Sequence, residues 1–217
     1  SYIYDALSRI TLADYPGSAE DISYAYDGSN YSGGIANGVG RLTGVSDESG
    51  SSVLIYDTRG NLSEQRWTHS GTTYTTAYSY DAADHVSSVT YPSGRIVSYS
   101  RDTQGRVTSV STTVAGVTST VASGISYLPF GGVKSYILGN GVTVAKTFDQ
   151  DYRLDEQKDE GSAVVRDIRH YYDLRNNLTA TEDVAEASRS QTFDYDSLSR
   201  LKSADGLYGA QAFSYDA

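Results

Sequence analysis

The chain has 217 residues, 17 basic and 27 acidic side chains for a formal net charge of −10, and neither cysteine nor methionine. Without cysteine there are no disulfides and no thiolate zinc sites, and the acidic balance argues against a nucleic-acid groove, which needs Lys and Arg clustered on one face. No apolar run approaches the roughly 20 residues that cross a bilayer as a helix, and no signal-peptide pattern opens the chain.

With no Met even at its first position, the chain is expected to be a segment of a longer protein. Its 20 Tyr stand against 4 Phe and 1 Trp, with 21 Gly, only 3 Pro and a dense background of Ser and Thr, a composition of many short strands joined by tight turns.

In chain order, an aromatic-acid pair recurs as Tyr4-Asp5, Tyr26-Asp27, Tyr56-Asp57, Tyr80-Asp81, Phe148-Asp149, Tyr172-Asp173, Tyr195-Asp196 and Tyr215-Asp216. Arg101-Asp102 is a member that has lost its aromatic, and a degenerate unit lies near 127–148, opening with Tyr127-Leu128-Pro129-Phe130-Gly131-Gly132. A Gly- and Ser-rich insertion at 28–40 is expected to protrude as a loop. With these allowed for, one unit is about 20 to 26 residues, and residues 1–217 read as a single array of about 9 to 10 units.

Within a unit the spacing is tighter. Six residues after the aromatic stands an aliphatic: Ile10, Leu62, Val86, Val107, Leu154, Leu178 and Leu201. The fourth residue after it is usually a turn former (Ser8, Gly60, Asp84, Gly105, Asn176, Ser199), and the fifth is Arg, Asn or His. This predicts a hairpin. The aromatic ends one strand facing the core, Asp accepts backbone N–H bonds two residues on, Gly or Asn takes a positive φ, and the aliphatic begins the returning strand on the same face, provided that the turn adds no extra residue. Tyr152 occupies the fourth position of its unit, where bulk predicts an altered turn.

Period-two alternation along Tyr74, Thr76, Tyr78 and Tyr80, along Val142, Val144, Lys146 and Phe148, and along Ile168, His170 and Tyr172 marks strands. The best helical stretch, 182–189, is short and is expected to be a connecting loop. One aromatic and one aliphatic per unit contribute about 3 to 6 kcal/mol. Ordering some 20 residues costs more, so units must stack on one another. The fold class is therefore all-β, tandem antiparallel hairpins stacked into a continuous sheet.

The frame Tyr56-Asp57-Thr58-Arg59-Gly60-Asn61-Leu62, and Arg101-Asp102-Thr103-Gln104-Gly105-Arg106-Val107, resembles the YD repeat of the RHS family, as do Tyr91-Pro92-Ser93-Gly94-Arg95, Leu138-Gly139-Asn140-Gly141 and Gly38-Val39-Gly40-Arg41-Leu42. The resemblance covers nearly the whole chain. It implies a curved, spiral or shell-like sheet, as in bacterial RHS polymorphic toxins and the C component of Tc toxins, where the shell encloses a C-terminal domain, and as in the related shell of teneurins. It further implies a secreted or cell-surface setting, with the parent's flanking repeats and an encapsulated C-terminal domain as partners. The Asp-Pro-x-Gly motif of the family's self-cleaving block is absent, so neither autoproteolysis nor toxin activity is expected of these residues.

Catalytic, cofactor and metal sites are not expected. There is no Gly-x-Ser-x-Gly elbow, and His69, His85 and His170 fall in different units without ligand spacing. Asp149, Asp151 and Asp155 superficially suggest a calcium loop, but Leu154 stands where its Gly must be. Asp155, Glu156, Asp159 and Glu160 are expected at a solvated hairpin tip. The sequons at Asn30, Asn61 and Asn177 follow from the repeat and the Ser/Thr richness. The leading function is structural, with the motif residues Tyr4, Asp5, Tyr26, Asp27, Tyr56, Asp57, Gly60, Tyr80, Asp81, Asp102, Gly105, Phe148, Asp149, Tyr172, Asp173, Tyr195 and Asp196 forming the scaffold. The alternative is a cell-surface module recognising carbohydrate or a protein partner, with Trp67, Tyr74 and Tyr78 available for stacking on sugars. A hydrolase is the weakest reading.

Overall fold

The computed structural model describes residues 1–17, 20–29, 35–129 and 131–216, so the sequon at Asn30, the middle of the 28–40 insertion and Phe130 lie outside the described residues. The fold is all-β, with nineteen strands and no α-helix among the described residues. The chain divides into two compact units, 1–119 and 120–217.

The first unit holds β1 (Tyr2–Tyr4), β2 (Ile10–Ala13), β3 (Ile22–Tyr26), β4 (Leu42–Asp47), β5 (Gly50–Tyr56), β6 (Leu62–His69), β7 (Thr72–Tyr80), β8 (Val86–Thr90), β9 (Ile96–Arg101) and β10 (Val107–Val114). Each pairs antiparallel with the next, from β1–β2 through β9–β10. β11 (Val117–Tyr127) begins in this unit and continues in the second. The second unit adds β12 (Val133–Leu138), β13 (Thr143–Phe148), β14 (Leu154–Glu160), β15 (Val164–Tyr172), β16 (Leu178–Asp183), β17 (Gln191–Tyr195), β18 (Leu201–Asp205) and β19 (Gln211–Ala212), again paired in sequence order.

The six-residue offset becomes a cross-strand pair. Tyr4 faces Ile10, Tyr56 faces Leu62, Tyr80 faces Val86, Arg101 faces Val107, Phe148 faces Leu154, Tyr172 faces Leu178 and Tyr195 faces Leu201. Tyr26 faces Leu42 across the insertion, and Tyr127 faces Val133 in the degenerate unit.

Three expectations are corrected. First, one extra residue is present, in the returning strand and not in the turn: beside each aromatic–Asp corner from Tyr4 to Tyr195, and at Arg101, the register shifts because the residue after the aliphatic bulges out of the ladder, whereas the corners at Tyr91 and Leu138 keep an even register. Where that residue is Ser or Thr its hydroxyl can donate to the carbonyl preceding the aromatic, as Thr11 does to Ile3 (3.3 Å), Thr43 to Ala25 (3.2 Å), Ser63 to Ile55 (3.1 Å) and Thr179 to Tyr171 (3.1 Å). Second, Tyr152 does not alter its turn. It adopts φ +60° with the same hydrogen bonds as its counterparts, because its ring points into solvent and the position constrains backbone, not bulk. Third, Asp155, Glu156, Asp159 and Glu160 lie along β14 and only Glu160 borders the tip; Glu156 and Asp159 pair with Arg169 and Arg166 on β15.

A buried interior is nearly absent. Among the described residues the buried hydrophobic side chains are Ala13, Val89, Val144 and Ala204, joined by Thr43 and Asp183. The corner aromatics from Tyr26 to Tyr195 are half-buried, so they do not face a core as expected. Packing is lateral, between successive hairpins. In the segment 182–189, Glu182 and Asp183 end β16 and a single 3-10 turn, Ala187–Arg189, leads on to β17.

Candidate functional site

The corner at Asp57 illustrates the module. Its backbone N–H donates to Asn61 O (2.8 Å), and Gly60 N–H donates to Asp57 O (3.1 Å), closing the turn with Gly60 at φ +92°. The carboxylate then locks it. Oδ1 accepts from the backbone N–H of Arg59 (2.9 Å) and of Asn61 (2.8 Å), and Oδ2 accepts from the Asn61 side chain (3.2 Å). Only a short carboxylate offers two acceptors at this reach.

The same set recurs at Asp5, Asp102, Asp149, Asp173 and Asp196, and its backbone part at Asp81. The fifth residue explains its own alphabet. Arg9, Arg106, Arg153 and Arg200 donate Nε to Oδ2 at 2.7, 2.8, 2.6 and 2.7 Å, Asn177 donates Nδ2 at 2.9 Å, and His85 Nδ1 stands 3.2 Å from Asp81 Oδ2. Every type has a side-chain nitrogen that reaches back four residues.

These donors hold the corner carboxyls below the ordinary aspartate range. At Asp5, Asp81 and Asp196 the backbone N–H of the fifth residue has the largest effect, and at Asp173 the Asn177 side chain does. At Asp57, Asp102 and Asp149 partial burial is the largest single influence and works upward, but the donors together outweigh it. Asp27 is held down chiefly by Arg9, whose Nη2 reaches its Oδ2 at 2.6 Å, and also by Gly40 N–H (2.6 Å). Arg9 thereby ties one corner to the next, and Gly40 ties down the far end of the insertion.

Successive hairpins are joined by the tyrosine hydroxyl. Tyr56 donates to Leu42 O (2.6 Å), Tyr80 to Leu62 O (2.7 Å), Tyr172 to Leu154 O (3.0 Å), Tyr195 to Leu178 O (2.9 Å) and Tyr215 to Leu201 O (2.8 Å). The acceptor is in each case the aliphatic of the preceding corner. Arg101, where the aromatic is lost, supplies the same bond, with Nη1 donating to Val86 O at 2.7 Å. Partial burial pushes the phenols of Tyr56, Tyr80 and Tyr172 upward.

Guanidinium groups stack on these rings from the previous corner: Arg9 over Tyr26 (4.3 Å), Arg41 over Tyr56 (5.5 Å), Arg153 over Tyr172 (4.7 Å) and Arg200 over Tyr215 (4.6 Å). Asn61 Nδ2 also reaches Asp84 Oδ1 (2.6 Å), and Arg153 Nη1 reaches Asn176 Oδ1 (2.6 Å). At Gly60 and Gly105 a Cβ would lie 2.0 Å from Arg41 Nη2 and 2.8 Å from His85 Cε1, so glycine serves both the left-handed turn and the neighbour's approach.

The remaining candidates fall elsewhere. Trp67 and Tyr74 are direct cross-strand partners with ring centroids 5.6 Å apart, both exposed (40% and 43%), whereas Tyr78 lies four residues further along β7 and is half-buried. His69 stacks on Trp67 at 5.3 Å, His85 serves its corner, and His170 is in β15. Both carboxylate oxygens of Asp149 are occupied by its turn and by Arg153. The amides of the sequon residues Asn61 and Asn177 are engaged in their corners.

Sequence reasoning missed the jobs of the fifth residue, the tyrosine hydroxyl and the bulge. The excess of Tyr over Phe was the legible signal for the second.

The RHS Repeat family model matches residues 56–96 and 80–118. RHS repeats are thus recognised within residues 56–118. Outside those residues the corners at Asp5, Asp149, Asp173 and Asp196 follow the same hydrogen-bond frame. No curated protein sequence matches. Among solved structures, the crystal structure of TcdB2-TccC3-Cdc42 is similar at 20% identity and TM-score 0.83, over 95% of this chain and 12% of that one. A TcdB2-TccC3 structure without its hypervariable C-terminal region gives the same identity, TM-score and coverage. The Tc holotoxin pore of Photorhabdus luminescens matches at 20% identity and TM-score 0.81, over 95% of this chain and 11% of that chain. The chain thus spans about an eighth of the structures it resembles, and at this identity the likeness establishes the fold.

Proposed function

We propose that this chain is a non-catalytic stretch of wall from an RHS-type β-shell, a single repeat array over 1–217 whose parent encloses or displays a C-terminal effector domain outside the producing cell. The observation that carries the reading is the joint between repeats. A tyrosine hydroxyl at five corners, and the Arg101 guanidinium at another, donates to the previous corner's carbonyl and links hairpin to hairpin with a bond that the next repeat can make again. The likeness to TcdB2-TccC3 structures over 95% of the chain supports a shell as the assembly that such repetition builds. Corner polar groups are spent on one another, which suits holding shape better than turnover.

The test is limited proteolysis of the natural gene product with residues 1–217 intact or carrying Asp57→Ala, Asp81→Ala and Asp173→Ala together. The wall reading expects the downstream domain to be protected in the first and digested in the second. Equal digestion in both would sink it.

A second reading rests on the exposed Trp67–Tyr74 pair, which offers a sugar ring an aromatic platform. Glycan-array binding lost on Trp67→Ala favours it, and an array without signal removes it.

A further inference from the structure

One cluster in the second unit departs from the corner logic. On β14 and β15, Glu156 pairs with Arg169 and Lys158 pairs with Asp167, which places all four side chains on one face of the sheet. Arg169 Nε reaches Glu156 Oε1 at 3.2 Å. In that register Asp167 is a diagonal neighbour of Glu156 across the ladder, and its Oδ1 is buried without a donor. Two carboxylates set diagonally on one face, one with a buried oxygen lacking a donor, form an arrangement that a single proton completes.

We propose that Asp167 and Glu156 form a one-proton clasp between β14 and β15, closed when Asp167 is protonated and donates to Glu156, and loosened when both carry charge. The groups around it do not neutralise the pair. From β14 come Lys158 and Glu160, bound to each other at 2.9 Å. From β15 comes Arg169, and from β16 comes Glu182, opposite Arg169 in register and taking the Tyr171 hydroxyl at 2.6 Å. Two cations are thus shared among four carboxylates.

Burial first, and then the charge and hydrogen bond of Glu156, push the Asp167 carboxyl upward against the pull of Arg169 and Lys158. A carboxyl raised on folding stabilises the fold below the ordinary value of 3.8, and the effect is lost as pH rises through its folded value. That sign is opposite to that of the corner aspartates, so acid tightens this hairpin while it weakens the corners. The clasp does not depend on the shell reading.

Amide hydrogen exchange on the whole chain tests it, with β14–β15 compared against β5–β6 over pH in wild type, Asp167→Asn and Glu156→Gln. After correction for intrinsic exchange, wild-type protection of β14–β15 is expected to fall as pH rises above the ordinary aspartate range. Asp167→Asn supplies an uncharged donor at every pH and is expected to raise protection at neutral pH about three- to tenfold. Glu156→Gln is expected to abolish the pH dependence too, and β5–β6 to remain unchanged. Identical pH profiles in wild type and Asp167→Asn, or an NMR carboxyl titration placing Asp167 at or below its ordinary value, would overturn the proposal.

Discussion

Removing one oxygen atom tests how the repeats are joined. Tyr80→Phe keeps the ring against its neighbours and deletes only the donor to Leu62 O, a bond of 2.7 Å that crosses from one corner to the preceding one. A neutral hydrogen bond contributes about 0.5–1.5 kcal/mol net, and an acceptor left buried without its partner adds to the cost, so a loss of about 1–2 kcal/mol is expected. Tyr172→Phe, which removes the 3.0 Å bond to Leu154 O in the second unit, is expected to cost a similar amount. The two sites share no partner, so the double variant should lose the sum to within about 0.5 kcal/mol. Urea denaturation followed by far-ultraviolet circular dichroism reads this as a lower midpoint at constant slope. Phe148→Tyr gives the converse case, since Phe148 occupies the same position without a hydroxyl, and a modest gain is expected. If Tyr80→Phe and Tyr172→Phe both leave the midpoint unmoved, the hydroxyls are incidental and ring packing alone joins the repeats.

The corner aspartates predict acid sensitivity. Their carboxyls are lowered on folding, so the stabilisation is complete above the ordinary value of 3.8 and is lost as pH falls through the lower folded values. A urea midpoint that stays flat below pH 4 would contradict it. The raised phenols of Tyr56, Tyr80 and Tyr172 predict an alkaline limit of the opposite sign, with stability present below the ordinary tyrosine value of 10.0 and lost above it as the phenols ionise, detectable by phenolate absorbance tracking the loss of sheet signal. Gly105→Ala places a Cβ at φ +80° and against the His85 ring, and is expected to cost at least about 1–2 kcal/mol from the left-handed backbone alone. A neutral Gly105→Ala in the same urea assay would show that neither the conformation nor the close approach matters.

Much of one corner was legible in the sequence by itself. The carboxylate of Asp57 meets N–H groups two and four residues on, so every partner lies inside a seven-residue frame that chain order supplies. The all-β class and the cross-strand pairing of Tyr56 with Leu62 follow from that frame and from the excess of tyrosine. Tyr152 marks where local reasoning went too far, because side-chain bulk was weighed at a position that tests only the backbone.

What joins one corner to another needed the tertiary structure. Tyr80 and Leu62 are 18 residues apart, and Arg153 and Tyr172 are 19, and whether they meet depends on strand register. That register is set by a bulge that inserts one residue beside each of these aromatic–Asp corners, a feature that spacing from aromatic to aliphatic cannot reveal. The same register sets Asp167 diagonally across from Glu156 and places the acidic run along β14 instead of at its tip. Contacts within a turn are fixed by covalent distance, whereas contacts across a ladder exist only once two strands have chosen which residues face each other.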